Sequence, residues 1–283
     1  MKKVLIAIDC YSGNSVVALE YILRLSQNEP NLYVGVYVQN FIYENVHTTE
    51  AEIIGGETLG VFSKARHEVN YQVVKDVAES TYKDRFIEKC QQAGLKYKLH
   101  SEDGLLLSEL LRQSEYADLL VIGYNSLASG NDRSKRDAIN YLLSDALCPV
   151  MVIPEITDRP GEIILAYDNT AEAAHAIKQF AYMFPEQCRS SKTYLVSVME
   201  SEGSHIRDSD LLQELTQAHY PDLSIHELKG SPGEQLFLFT TDKKSPIIVM
   251  AGFGRGFLSK LLWPSVGQDL VKLESFPIFI AHK

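Results

Sequence analysis

Val4-Leu-Ile-Ala-Ile-Asp9 returns later in the chain as Ile163-Ile-Leu-Ala-Tyr-Asp168, and that return decides the fold. A continuous apolar run that closes on an acid reads as a strand buried on both faces of a parallel sheet, with a polar crevice beyond its carboxyl end. Two further blocks repeat in the same order. Asp118-Leu-Leu-Val-Ile-Gly123 becomes Pro246-Ile-Ile-Val-Met-Ala251, and Cys148-Pro-Val-Met-Val-Ile153 becomes Phe276-Pro-Ile-Phe-Ile-Ala281. Three matching blocks in one order mean a duplicated globular unit, not a solenoid of short repeats. The first pair stands 159 positions apart and the other two 128, so the first copy carries 31 additional residues in its middle.

Working outward from these blocks, the first copy is expected to place strands at 4–8, 31–38, 95–99, 119–122 and 150–153. Helices are expected after Ser12-Gly-Asn-Ser15 and over 63–93, 105–114 and 138–144, the long one ending at Gly94, a residue suited to a left-handed cap. The second copy repeats the order, with strands at 163–167, 193–198, 223–227, 247–250 and 278–281 and helices at 171–182, 208–219, 234–240 and 258–273. Strand alternating with helix implies right-handed crossovers and helices on both faces of a parallel sheet. The expected fold class is therefore α/β, two tandem doubly wound five-stranded domains of Rossmann-like form. Domain boundaries are expected at 1–154, with an insertion over 41–93, and at 161–283, joined by a proline-bounded linker over 155–160.

Composition narrows the function. With 283 residues, 27 Lys and Arg against 37 Asp and Glu and a formal net charge of −10, the chain lacks the basic face a general nucleic-acid binder needs. Arg133-Ser-Lys135-Arg136 reads as a solvated helix terminus. Met1-Lys-Lys leads into a run too short for a signal-peptide core or a membrane span, so no membrane partner and a cytoplasmic location are expected. Cys10, Cys90, Cys148 and Cys188 show no metal-ligand spacing and read as small core fillers, Cys10 being the one placed to react. The eight histidines form no HExxH pair, and no GxSxG elbow is present. Without a nucleophile or base, regulation is expected and turnover is not.

Open parallel sheets bind ligands beyond the carboxyl ends of their strands, where the strand order switches direction. Asp9 and the loop from Gly123 converge there in the first copy, Asp168 and the loop from Ala251 in the second. The second loop reads Ala251-Gly-Phe-Gly254-Arg-Gly256 and continues to Trp263-Pro-Ser265. Its small residues let backbone N–H groups approach an anion.

The strand closing on Asp, the strand-Gly loop, the helix with Ser near its start and the closing Cys148-Pro-Val-Met-Val-Ile153 together resemble universal stress proteins, and the match extends over both copies. The resemblance implies a tandem member of that family, a stress-response regulator whose copies pair through their last strands, so that 150–153 and 278–281 should pair or abut across a pseudo-twofold as an intramolecular pseudo-dimer, each covering the other's edge, with a homodimer of whole chains left open. It also implies a nucleotide loop of the form Gly-x2-Gly-x9-Gly-Ser/Thr. The second copy lays Ala251, Gly254, Pro264 and Ser265 on that form, and the first lays Gly123, Ser126, Arg136 and Asp137. By resemblance, ATP, ADP or AMP, with magnesium as companion, would be bound weakly in the second copy. Its site would be made by Tyr167, Asp168, Val198, Met250, Ala251, Gly252, Gly254, Arg255, Ser265 and Val266: Asp168 would hydrogen-bond ribose or nearby backbone, Val198 and Met250 would border the adenine, Gly254, Ser265 and Val266 would meet the phosphates, and Arg255 would add a cationic contact. In the first copy the equivalent site, Asp9 with Gly123, Ser126, Arg136 and Asp137, is degenerate, because Asp137 sets a like charge where phosphate would lie. The alternative is a module that binds no nucleotide and engages a protein partner through its insertion.

Overall fold

The computed structural model describes residues 1–8, 13–27, 29–37, 82–101, 106–127, 132–155, 157–199, 205–252 and 275–281. The apolar runs become strands. The first half contributes β1 (Lys3–Ile8), β2 (Leu32–Tyr37), β3 (Lys96–Ser101), β4 (Leu119–Gly123) and β5 (Val150–Ile153), and the second contributes β6 (Ile163–Ala166), β7 (Thr193–Met199), β8 (Leu223–Lys229), β9 (Ile247–Ala251) and β10 (Ile278–Ala281). All ten form one sheet in the order β3-β2-β1-β4-β5-β10-β9-β6-β7-β8. Pairing is parallel within each half and antiparallel at the seam, where Ile278, Phe279 and Ile280 face Val152, Met151 and Val150. The second half therefore repeats the first in reverse direction, as expected for two doubly wound units related by a pseudo-twofold.

Alternation along the strands builds two apolar layers that both run through the seam. Val4, Ile6 and Ile8 of β1, Met151 and Ile153 of β5 and Phe279 of β10 belong to one layer. Leu5, Ala7, Val150, Val152, Ile278 and Ile280 belong to the other. Helices α1 (Asn14–Leu25) and α5 (Ala171–Met183) cover the first layer; α3 (Leu106–Ser114), α4 (Asp132–Asp145) and α8 (Pro232–Thr241) cover the second. Phe279 packs its ring against Phe180 of α5 at 5.1 Å between centroids and against Phe184 at 6.3 Å, pinning the seam from one side. Burying each such side chain contributes about 1.5–3 kcal/mol.

The two outermost strands are treated differently. On β3, Lys96 and Lys98 are exposed, and on β8 no residue is fully buried. Charged, poorly covered edges discourage pairing with another chain.

Several helices differ from expectation. Helix α2 is described over residues 82–92, with Phe86 and Cys90 fully buried, and Gly94 takes the expected left-handed φ of 63°. The rest of the expected 63–93 helix, the irregular stretch from Phe41 and the expected 258–273 helix lie outside the described residues. Helix α4 starts at Asp132, six residues before the expected start, because the polar run 132–137 carries no apolar periodicity to announce a helix. Helix α6 (Pro185–Ser190) was not expected at all: it is a short element opened by a proline at its first turn and buries only Gln187 and Cys188. Helix α7 (Ser209–His219) falls as expected.

Candidate functional site

Each half has a switch point where its first strand lies between its second and fourth. In the second half this is β6, flanked by β7 and β9. Beyond β6, the Tyr167 N–H continues the ladder to the Val196 carbonyl at 2.9 Å. The Tyr167 side chain is buried, which raises its phenol pKa, while the nearby Arg207 guanidinium works in the opposite direction.

Asp168 is half-buried and already has a structural task. Its Oδ1 accepts from the Thr170 N–H at 3.1 Å and from the Thr170 hydroxyl at 2.5 Å. Thr170 in turn caps α5, its Oγ1 accepting from the Ala173 N–H at 3.1 Å. Between them, Asn169 takes a left-handed φ of 63° and ties two loops together: its Oδ1 accepts from the Arg207 N–H at 2.8 Å, and its Nδ2 donates to the His205 carbonyl at 3.4 Å. Asn169 and Arg207 are rim residues that sequence reasoning missed. The Asn169-Thr170 pair after a strand was the available signal, since both residue types favour turns and caps.

Val198 is half-buried against the second apolar layer, and Met250 is fully buried within it. Ala251 ends β9, and the Gly252 N–H donates to the Ala281 carbonyl at 2.8 Å. That donor is therefore committed to the sheet. Gly254, Arg255, Ser265 and Val266 lie outside the described residues.

The first half makes the same closing bond, the Tyr124 N–H donating to the Ile153 carbonyl at 2.8 Å, 128 positions earlier at both ends. Past that point the halves part. The Asn14 amide reaches across the switch point, its Nδ2 donating to the Pro154 carbonyl at 3.1 Å and its Oδ1 accepting from the Asn125 N–H at 3.1 Å. Both Asn14 and Ser126 are buried, and the Ser126 N–H donates to the Gly123 carbonyl at 2.9 Å. A Cβ on Gly123 would come within 2.5 Å of Ser126 Oγ and 2.7 Å of Asn14 Oδ1, so the loop has closed down on the start of α1. Arg136 and Asp137 are the fifth and sixth residues of α4, past the four N–H groups a helix start leaves available. Their backbone amides thus lie inside the helix, not at its start. Asp9 and Cys10 lie outside the described residues. Among the described residues no group of three or more His, Cys, Asp or Glu is placed to hold a metal ion.

This architecture has solved counterparts. The chain aligns over 100% of its length, and 96% of the other chain, with a universal stress protein from Archaeoglobus fulgidus DSM 4304, at a TM-score of 0.65 and 16% identity. It aligns over 99% of its length, and 92% of the other chain, with a functionally unknown protein from Pseudomonas aeruginosa PAO1, at a TM-score of 0.51 and 13% identity. At such identities the likeness establishes the fold, which is that of a universal stress protein along the whole chain. No family model matches the sequence, and no curated protein matches it. Among the described residues no helix is long and apolar enough to cross a membrane.

Proposed function

We propose that this chain is a tandem universal stress protein, a cytoplasmic stress-response regulator that takes up an adenine nucleotide in its second half and does not turn it over. Its domains are 1–154 and 161–283, joined by 155–160. The observation that carries this reading is the asymmetry of the two switch points. Asn14 occupies the first one, bonded to Asn125 and Pro154, and the Gly123 cradle has no space for even a methyl group. Helix α5 opens with Ala171-Glu-Ala-Ala174, which holds no amide side chain for the same stitch. Asp168 and Tyr167 would border the ribose, Val198 the base, and Gly254, Arg255, Ser265 and Val266 the phosphates. A bound nucleotide would supply only negative charge and a planar base to be recognised; the chain's own residues hold and orient it.

A second reading, a protein-binding module without nucleotide, draws on the commitments of Asp168 to Thr170 and of Gly252 to Ala281. Calorimetric titration of the whole chain with ATP, ADP and AMP separates the two. Saturable heat that disappears in Ser265→Asp is the expected result. Absence of heat with all three nucleotides leaves the second reading standing.

A further inference from the structure

Away from both switch points, at the amino ends of β6, β7 and β9, lies a groove of about 1080 Å³. The two halves meet along it, where Gln27, just past α1, reaches toward Ser190 of α6 with 3.5 Å between Nε2 and Oγ. Four cationic side chains line the groove, Arg24, Arg159, Lys192 and Lys244, against one carboxylate, Glu162. All four cations are exposed.

That carboxylate is already engaged. Glu162 Oε2 accepts from the Lys244 backbone N–H at 2.7 Å, and Oε1 accepts from the Tyr194 hydroxyl at 2.9 Å. Arg24 has a distant partner in Glu20 at 3.7 Å, which it shares with Lys89 at 2.5 Å. Arg159, Lys192 and Lys244 form no ion pair within 4.0 Å among the described residues. A chain of formal charge −10 thus gathers four cations against one carboxylate in one concavity, with Lys192 also lying over the Tyr194 ring at 5.1 Å. Like charges collected in a groove repel one another and focus a field that draws in anions.

We propose that this groove binds a small anion carrying two or more phosphate groups. Each phosphate monoester brings about −1.5 to −2 charges at neutral pH, so two of them match the groove's excess of three positive charges, four cations less Glu162, where a single carboxylate would not. The Arg159 guanidinium supplies the planar fork that pairs with phosphate oxygens, and Lys192 and Lys244 supply point charges. The groove volume lies just above the range usual for small-ligand sites, about 300–1,000 Å³. A phosphorylated metabolite and a short inorganic polyphosphate share this chemistry.

The test uses the whole chain in low-salt buffer, with inorganic tripolyphosphate, fructose 1,6-bisphosphate and citrate as calorimetric titrants. Saturable binding of at least one phosphate compound, weakened tenfold or more in Arg159→Gln/Lys244→Gln and unchanged in Ser265→Asp, is expected. The preferred titrant tells metabolite from polyphosphate. Both substituted side chains are exposed, so the variant should unfold at the wild-type temperature. Three results overturn the proposal: no saturable heat with either phosphate compound, full affinity in the double variant, or citrate bound as tightly as the phosphates. Loss of binding in Ser265→Asp would move the phosphates to the nucleotide loop and would also overturn it. Failure here leaves the nucleotide reading untouched, since that reading depends on different residues.

Discussion

Asn14 and Pro154 are 140 positions apart in sequence and joined by a 3.1 Å hydrogen bond that closes the first switch point. Replacing Asn14 by Ala removes this bond and the acceptor of the Asn125 N–H in a buried place. The expected loss of stability is about 1–3 kcal/mol, read as a lower urea midpoint at unchanged slope. Asn14→Asp keeps the acceptor but sets a carboxylate against the Pro154 carbonyl, so it should be the less stable variant of the two at neutral pH.

Phe279 stands on the seam strand in a cluster with the rings of Phe180 and Phe184, which also contact each other at 5.2 Å. Phe279→Ala should cost about 3–5 kcal/mol. Because both apolar layers cross the seam, calorimetry should show a single unfolding transition, shifted as a whole. Two transitions, only one of them displaced, would contradict the continuous core.

Burial pushes the thiols of Cys90, Cys148 and Cys188 up to about 12. They should therefore stay protonated and unreactive in the folded protein at pH 8, where the thiolate is the attacking species. Titration with a disulfide reagent is expected to find no more than one fast thiol in the native chain, Cys10, and all four after denaturation. Rapid modification of three or four native thiols would refute the packing assigned to these side chains.

His226 sits beside Tyr194 and Phe239, and burial, with Lys243 and Lys192 adding to it, lowers its pKa. A depressed imidazole is neutral in the folded state while the unfolded chain still takes up a proton. Its contribution to stability is thus fully present above the unfolded value of about 6.5 and falls away as pH drops toward the folded value. His226→Gln should flatten the fall in melting temperature between neutral pH and pH 5. A variant with the same pH slope as wild type would remove His226 from the account.

Strand positions were legible because each buried strand is a short apolar run, and the repetition of β1 in β6, β4 in β9 and β5 in β10 fixed their equivalence. The seam followed from the family resemblance, which implied pairing through the last strands, and two apolar closing strands with edges to cover agreed with it. What the sequence hid was polar. The start of α4 runs through Asp132-Arg-Ser-Lys-Arg-Asp137 with no apolar spacing, and α6 is too short to show any periodicity. The closure at Asn14 depends on backbone groups 111 and 140 positions away, and Asn169 finds its partner 38 positions downstream. Hydrogen bonds of that reach leave no trace in local spacing, so the strands that frame the candidate site were legible while the wiring between them was not.

The antiparallel seam between β5 and β10 also governs how such a protein can change. In an assembly of two identical chains, any substitution is made twice, and a residue that fills one ligand position fills both. Here the two partners are consecutive stretches of one polypeptide, always present in equal number, and each is free to vary alone. Asn14 spans one switch point with no amide at the start of α5 to match it, so the two halves are free to differ there.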